Sequence, residues 1–215
     1  MMNGKLVLRI FIVLLCSAAA FAQNGQVVPQ ATTGWAGGSE LRVVGGYSPR
    51  SNEGIGVTKN RKLYYAAIEY AHPIVHFHNT TLSYNAGIVP FIAVTRPAET
   101  ILGTSYPAGT SWGMGATPVG FAWGFRPAAR LQPFFEIAGG LAYFNEQVPI
   151  AQSSQFNFLA HWGGGVEFYH GGIHWLTVGY RYHHISNANT GHFNPGIDSN
   201  LMYVAFPFWR RTRVR

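Results

Sequence analysis

A histidine and a serine stand two residues apart at His184 and Ser186, and a carboxylate, Asp198, follows twelve residues after the serine. These are the three residue types of a serine hydrolase. The hydroxyl attacks an ester carbonyl, the imidazole takes its proton and later protonates the leaving alcohol, and the carboxylate orients and stabilises the imidazolium. A two-residue spacing places the hydroxyl beside the imidazole on an extended chain, where alternate side chains share a face. Residues 173–186 have that pattern: Leu176, Val178, Tyr180 and Tyr182 form an apolar row that His184 and Ser186 continue. In the following segment Met202, Val204, Phe206 and Phe208 make the better-matched apolar row, and Asp198 continues it. Negative charge developing on a carbonyl oxygen needs aimed donors, and Asn187, Asn194 and the backbone amides of the 187–196 loop are candidates. Taken singly the residues have plainer explanations, with Ser186 and Asn187 as turn formers, Asp198 as a solvated acid and His184 as an interfacial aromatic. Their placement on an apolar face, where polar groups are costly, favours the chemical reading.

The elements that must hold these residues are strands. About eight period-two segments lie near 40–48, 62–71, 80–95, 112–126, 130–144, 155–169, 173–186 and 197–208, separated by glycine, proline or asparagine clusters. In the fifth, Leu131, Phe135, Ile137, Leu141 and Tyr143 oppose Gln132, Glu136, Ala138, Gly140 and Ala142. In the sixth, Phe156, Phe158, Trp162, Val166 and Phe168 oppose Asn157, His161, Gly163, Gly165 and Glu167. A soluble barrel would turn the aromatic face inward, but an eight-stranded barrel is just wide enough inside for side chains, and rings from every strand would overfill it. The small and polar face therefore lines the interior and the aromatic face meets lipid. The fold class expected is all-β, an eight-stranded antiparallel transmembrane β-barrel of the outer-membrane type. On this phase Arg181 and His183 point inward, toward Glu69, Glu136 or Glu167. Short turns near 127–129 and 170–172 belong on the periplasmic side, and long loops at 49–61, 96–111, 145–154 and 187–196 outside, which carries His184 and Ser186 to the outer leaflet.

Composition agrees with this solvent, since only 11% of residues are charged while 15% are aromatic. Residues 1–22 read as a secretory signal peptide, with Lys5 and Arg9 before the apolar run 10–15 and Ala20-Phe21-Ala22 before the expected cleavage. Residues 23–39 then form an N-terminal periplasmic segment, 40–209 the barrel and 210–215 a basic C-terminal tail. The one cysteine, Cys16, lies in the leader, so the mature chain has no disulfide. Beyond the leader, 13 basic residues face 8 acidic ones, and four of the basic ones, Arg210, Arg211, Arg213 and Arg215, are in that tail. With no basic stripe elsewhere, the tail reads as a solvated end and nucleic acid is not a partner. His72, His76 and His78 are closely spaced without an obvious carboxylate or cysteine partner, and read as a solvated or interfacial turn rather than a metal site.

The segments His184-Ile185-Ser186-Asn187-Ala188 and Asn194-Pro195-Gly196-Ile197-Asp198-Ser199 resemble the outer-membrane lipid A deacylases of the PagL type, also called acyloxyacyl hydrolases. That resemblance implies an eight-stranded barrel with a histidine, a serine two residues later and an acid twelve after that, all on its lipid-facing surface. His184, Ser186 and Asp198 keep both spacings, with aspartate where the family usually has glutamate. Asn187 and Asn194 match asparagines around the catalytic serine, the second an implied oxyanion donor, and Asn189 stands where a glycine would present its amide. The implied substrate is lipid A of lipopolysaccharide, cut at the ester-linked 3-O acyl chain in the cell outer membrane, with no cofactor or metal. A homodimer is compatible with this reading. Lipid A phosphates would favour cations such as Lys59, Arg61, Lys62 and Arg96. The rival expectations are a non-catalytic small barrel serving adhesion or membrane structure, and an acyltransferase or phospholipase on the same scaffold.

Overall fold

The computed structural model describes residues 38–211. The leader, most of the 23–39 segment and the end of the basic tail lie outside those residues. Every regular element among the described residues is a strand: β1 (Ser39–Ser48), β2 (Ser51–Asn52), β3 (Lys62–Phe77), β4 (Thr80–Arg96), β5 (Glu99–Ile101), β6 (Thr104–Tyr106), β7 (Gly109–Phe125), β8 (Leu131–Val148), β9 (Ser154–His170), β10 (Ile173–Ser186) and β11 (Ile197–Arg211). The eight long strands pair as antiparallel neighbours in the order β1-β3-β4-β7-β8-β9-β10-β11, and β1 pairs with β11 to close the barrel. Closure removes the unpaired edges that make open sheets associate. The short β5–β6 hairpin sits in the loop after β4, while β2 adds to the end of β11.

The alternation read from the sequence is the alternation of the wall. Phe135, Ile137, Trp123, Val204 and Phe206 are exposed on the outside, whereas Gln132, Glu136, His161, Thr177 and Tyr203 are buried within. Met202, Val204 and Phe206 face out and Leu201, Tyr203 and Ala205 face in, which settles the phase of the last strand. The interior is polar but paired. Arg181 donates to Glu69 through Nη1 and Nη2 (2.7 and 3.0 Å) and to Glu136 through Nε and Nη2 (2.8 and 3.1 Å). Tyr203 donates a further bond to Glu136 at 2.7 Å, and the Arg181 guanidinium lies 4.2 Å over the Tyr203 ring. Glu167 is not part of this cluster. It pairs with Arg42 at 2.8 Å, nearer the turn end of the barrel.

Three boundaries differ from the expected ones. β3 continues to Phe77, so His72 and His76 sit on a strand, hydrogen-bonded to Ser39 Oγ and Thr81 Oγ1 at 2.9 Å each, and only His78 is in the turn. The period is hidden there because Pro73, which has no N–H to give the ladder, is accommodated by a register shift between Pro73 and Val75. β8 and β9 also extend toward each other, leaving a connection of 149–153 rather than 145–154. Finally β11 runs to Arg211, and Arg210 donates from Nη2 to the His174 carbonyl (3.0 Å) and to Glu40 (3.3 Å), so it belongs to the barrel and not to a free tail.

Candidate active site

β10 delivers His184 and Ser186 because its alternation persists to its last residue. Arg181, His183, Ile185 and Asn187 are buried inside, while Tyr182, His184 and Ser186 are partly exposed on the opposite face. β11 returns beside it with His184 directly opposite Asp198, and opposed residues of an antiparallel pair project to the same side. His184 Nδ1 and Asp198 Oδ1 are 2.6 Å apart. A carboxylate on Nδ1 holds the ring in the tautomer whose Nε2 is free to accept a proton.

The structure thus joins two of the three expected residues directly. Ser186 lies one step along the same face, but its hydroxyl makes no hydrogen bond to His184 or to any other described residue. Nucleophile–base bonds are often loose in an unliganded site and tighten on substrate.

Asp198 is on the outer face and yet only 1% exposed. A strap formed by residues 53–58 covers it, anchored where β2 pairs Ser51 with Ser199 and Asn52 with Asp198. The Gly56 amide donates to Asp198 Oδ2 at 2.7 Å. Nothing in the sequence reading had assigned this strap a role. The only local sign is a pair of glycines, Gly54 and Gly56, flanking one apolar residue in a loop.

The loop after β10 is built around Asn187. Its Nδ2 donates to the Phe193 carbonyl (2.7 Å), its Oδ1 accepts the Asn189 amide (3.0 Å), and its own amide donates to Asn194 Oδ1 (3.0 Å). Ala188 and Asn189 both adopt left-handed backbone, with φ of 49° and 62°, a conformation asparagine tolerates and alanine does not favour. The Asn189 amide is therefore committed to Asn187 and not presented to a substrate oxygen. Asn194 spends its oxygen on the loop and keeps Nδ2 as a donor. Because Asn187 is fully buried, Asn187→Ala strands the Phe193 carbonyl and the Asn189 amide. The expected local cost is about 1–3 kcal/mol, seen as faster amide exchange across 188–194 with the barrel strands unchanged.

Of the four cations expected to meet phosphate, three are spent on carboxylates: Lys59 on Glu53 (2.6 Å), Arg61 on Glu99 (2.6 Å) and Arg96 on Glu146 (2.9 Å). Lys62 is exposed at the start of β3 and forms no ion pair among the described residues. A group of metal-ligand type, Glu40, Glu167 and His174, lies at the opposite end of the barrel. Its carboxylates are already neutralised by Arg42 and Arg210.

Residues 96–207, just over half of the 215, match the family model described as Lipid A 3-O-deacylase (PagL). Among solved structures, one reported as the crystal structure of the outer membrane enzyme PagL superposes with a TM-score of 0.55 at 19% identity, covering 79% of this chain and 99% of that one. That similarity is one of fold, the closed eight-stranded barrel. The N-terminal β-barrel domain of Pseudomonas aeruginosa OprF aligns at 14% identity over 80% of this chain and 98% of its own, with a TM-score of 0.37, too low to carry weight. No curated protein matches the chain. His184, Ser186 and Asp198 all fall within the matched span, and the chain belongs to the lipid A 3-O-deacylase (PagL) family of outer-membrane ester hydrolases.

Proposed function

We propose that this chain removes the 3-O-linked acyl chain of lipid A with Ser186 as nucleophile, His184 as general base and acid, and Asp198 as the group that orients the imidazole. The observation that carries it is the 2.6 Å His184–Asp198 hydrogen bond on the outer face of β10 and β11, with Ser186 on the same face. Ser186 Oγ attacks the ester carbonyl as its proton passes to His184 Nε2. The negative oxygen of the tetrahedral intermediate takes a hydrogen bond from Asn194 Nδ2. Collapse releases the sugar hydroxyl, which receives the proton from His184, and leaves an acyl ester on Ser186. Water activated by His184 then frees the fatty acid. Asn187 shapes the loop that presents Asn194, and Asn189 supports it by closing the turn.

Tails of lipid A reach this face laterally, without entering the barrel. The site lies at the end carrying the long loops, which in outer-membrane barrels is the external side, so the active site faces the outer leaflet after export directed by residues 1–22. Lys62 is the cation left to meet a lipid A phosphate. No cofactor enters the scheme.

Purified full-length protein, folded in detergent and given lipopolysaccharide, is expected to release a free 3-hydroxy fatty acid with water as the acyl acceptor. Asp198→Asn keeps the shape but loses the charge that steadies the imidazolium, and should lower kcat by roughly 10²–10⁴. An unmutated barrel that releases no fatty acid would sink the proposal in favour of an inert barrel, and transfer of the chain to another lipid would make it an acyltransferase.

A further inference from the structure

We infer that Tyr182 and the 53–58 strap are the positioning apparatus of Asp198, and that they are matched to aspartate at this position; the inference rests on the triad reading above. Two hydrogen bonds and a neighbouring hydroxyl converge on one carboxylate. Oδ1 takes His184 Nδ1 and Oδ2 takes the Gly56 amide at 2.7 Å, while the Tyr182 hydroxyl and Asp198 Oδ2 stand together against Gly54, both within 2.5 Å of where a Cβ there would lie. Tyr182 is itself placed from both sides, its oxygen accepting the Ile55 amide at 3.3 Å and its ring against Trp162 at 4.6 Å between centroids. A short carboxylate beside an imidazole keeps only a narrow range of useful orientations, and the backbone amide of Gly56, with the Tyr182 hydroxyl packed beside the strap, selects one of them.

The strap is a built element. Val57 and Thr58 donate their amides to the carbonyls of Pro195 (2.7 Å) and Gly196 (3.2 Å), and Thr58 bridges Ile197 in parallel. Its two glycines are required by close approach. A Cβ at Gly54 would collide with the Tyr182 hydroxyl and come to 2.5 Å from Asp198 Oδ2, and one at Gly56 would come to 2.6 Å from the Gly196 carbonyl carbon. Such distances leave no room for a longer acid. With residue 198 locked opposite His184, an extra methylene would advance the head group by about 1.5 Å into the Gly54–Gly56 backbone. The strap also lies outside residues 96–207, so it is a property of this chain's first loop and not of the matched span.

The test uses full-length protein in detergent, kinetics of hydroxy fatty acid release, and heat-dependent gel migration to verify that each variant forms the barrel. Tyr182→Phe is expected to lower kcat about tenfold, because the Ile55 amide loses its acceptor and the strap its hold on Asp198, with KM unchanged. In an Asp198→Asn background the same change should cost almost nothing more, because Tyr182 acts only through that carboxylate. Asp198→Glu should fall below the unmutated enzyme by at least tenfold. Full kcat in Tyr182→Phe, additive losses in the double variant, or an Asp198→Glu enzyme as fast as the original would each overturn the inference. Ser186→Ala separates the two ideas: retained release there removes the triad and the positioning role together, whereas its loss alongside an unaffected Tyr182→Phe removes only the positioning role.

Discussion

Ser186→Ala is expected to reduce release of hydroxy fatty acid from lipopolysaccharide by roughly 10⁴-fold or more, the largest change any single substitution should make to activity. With Ser186 as the proposed nucleophile, removing the hydroxyl would delete the covalent route, leaving only orientation and oxyanion stabilisation to act on a direct attack by water. KM should move little, because the lipid is held by its chains and head group and not by Oγ. Adding His184→Ala to Ser186→Ala should then cost almost nothing further, since nucleophile and base act as one unit. Initial rates measured by mass spectrometry of the freed acid decide the matter. A variant lacking Ser186 Oγ that keeps even a tenth of the rate would place the nucleophile elsewhere on the barrel.

The largest effect on stability is expected at Arg181. Its guanidinium is 1% exposed and donates four hydrogen bonds to Glu69 and Glu136, themselves nearly buried. Arg181→Met leaves two carboxylates facing each other in the lumen without a counter-charge. Breaking a buried pair in this way costs about 3–5 kcal/mol, because the remaining charges keep their desolvation penalty and lose its compensation. Urea titration of folding into lipid vesicles, followed by the heat-dependent gel shift, gives the measure. Adding Glu69→Gln and Glu136→Gln to Arg181→Met should recover much of the loss. Neutral amides need only hydrogen bonds, and recovery would locate the cost in unpaired charge and not in lost volume.

The wall of the barrel was legible because a barrel strand has two solvents and a strict period. Phe135 and Ile137 against Glu136 and Ala138 state the inside and the outside residue by residue, and the structure places them accordingly. Arg181 toward Glu69 and Glu136 followed from the same phase. Where the period fails, so did the reading. Pro73 interrupts β3, and His72 and His76 on either side of it resemble a turn although the ladder continues to Phe77.

In the candidate site, alternation alone places His184 and Ser186 on one outer face, and β11 pairing brings Asp198 opposite. The strap could not be read this way. Its anchor joins Ser51 and Asn52 to residues almost 150 positions later, and a loop of glycines and polar residues carries no period that names its partner. The commitment of the Asn189 amide to Asn187 is likewise a matter of how the 187–194 loop folds back on itself.

By itself, then, the order of residues determined the class of fold, the face each strand turns to lipid and the placement of His184 and Ser186 on one outer face, because those are local properties set by a two-residue repeat in two solvents. Tertiary structure alone decided that Asp198 is sealed under Gly54 and Gly56 with an oxygen on the Gly56 amide, that the Ser186 hydroxyl stands unengaged, and that the Asn189 backbone amide is committed to the loop while Asn194 Nδ2 is not. Those outcomes depend on hydrogen bonds closed across loops, whose partners are chosen by barrel closure and strand register and leave no repeat in the sequence.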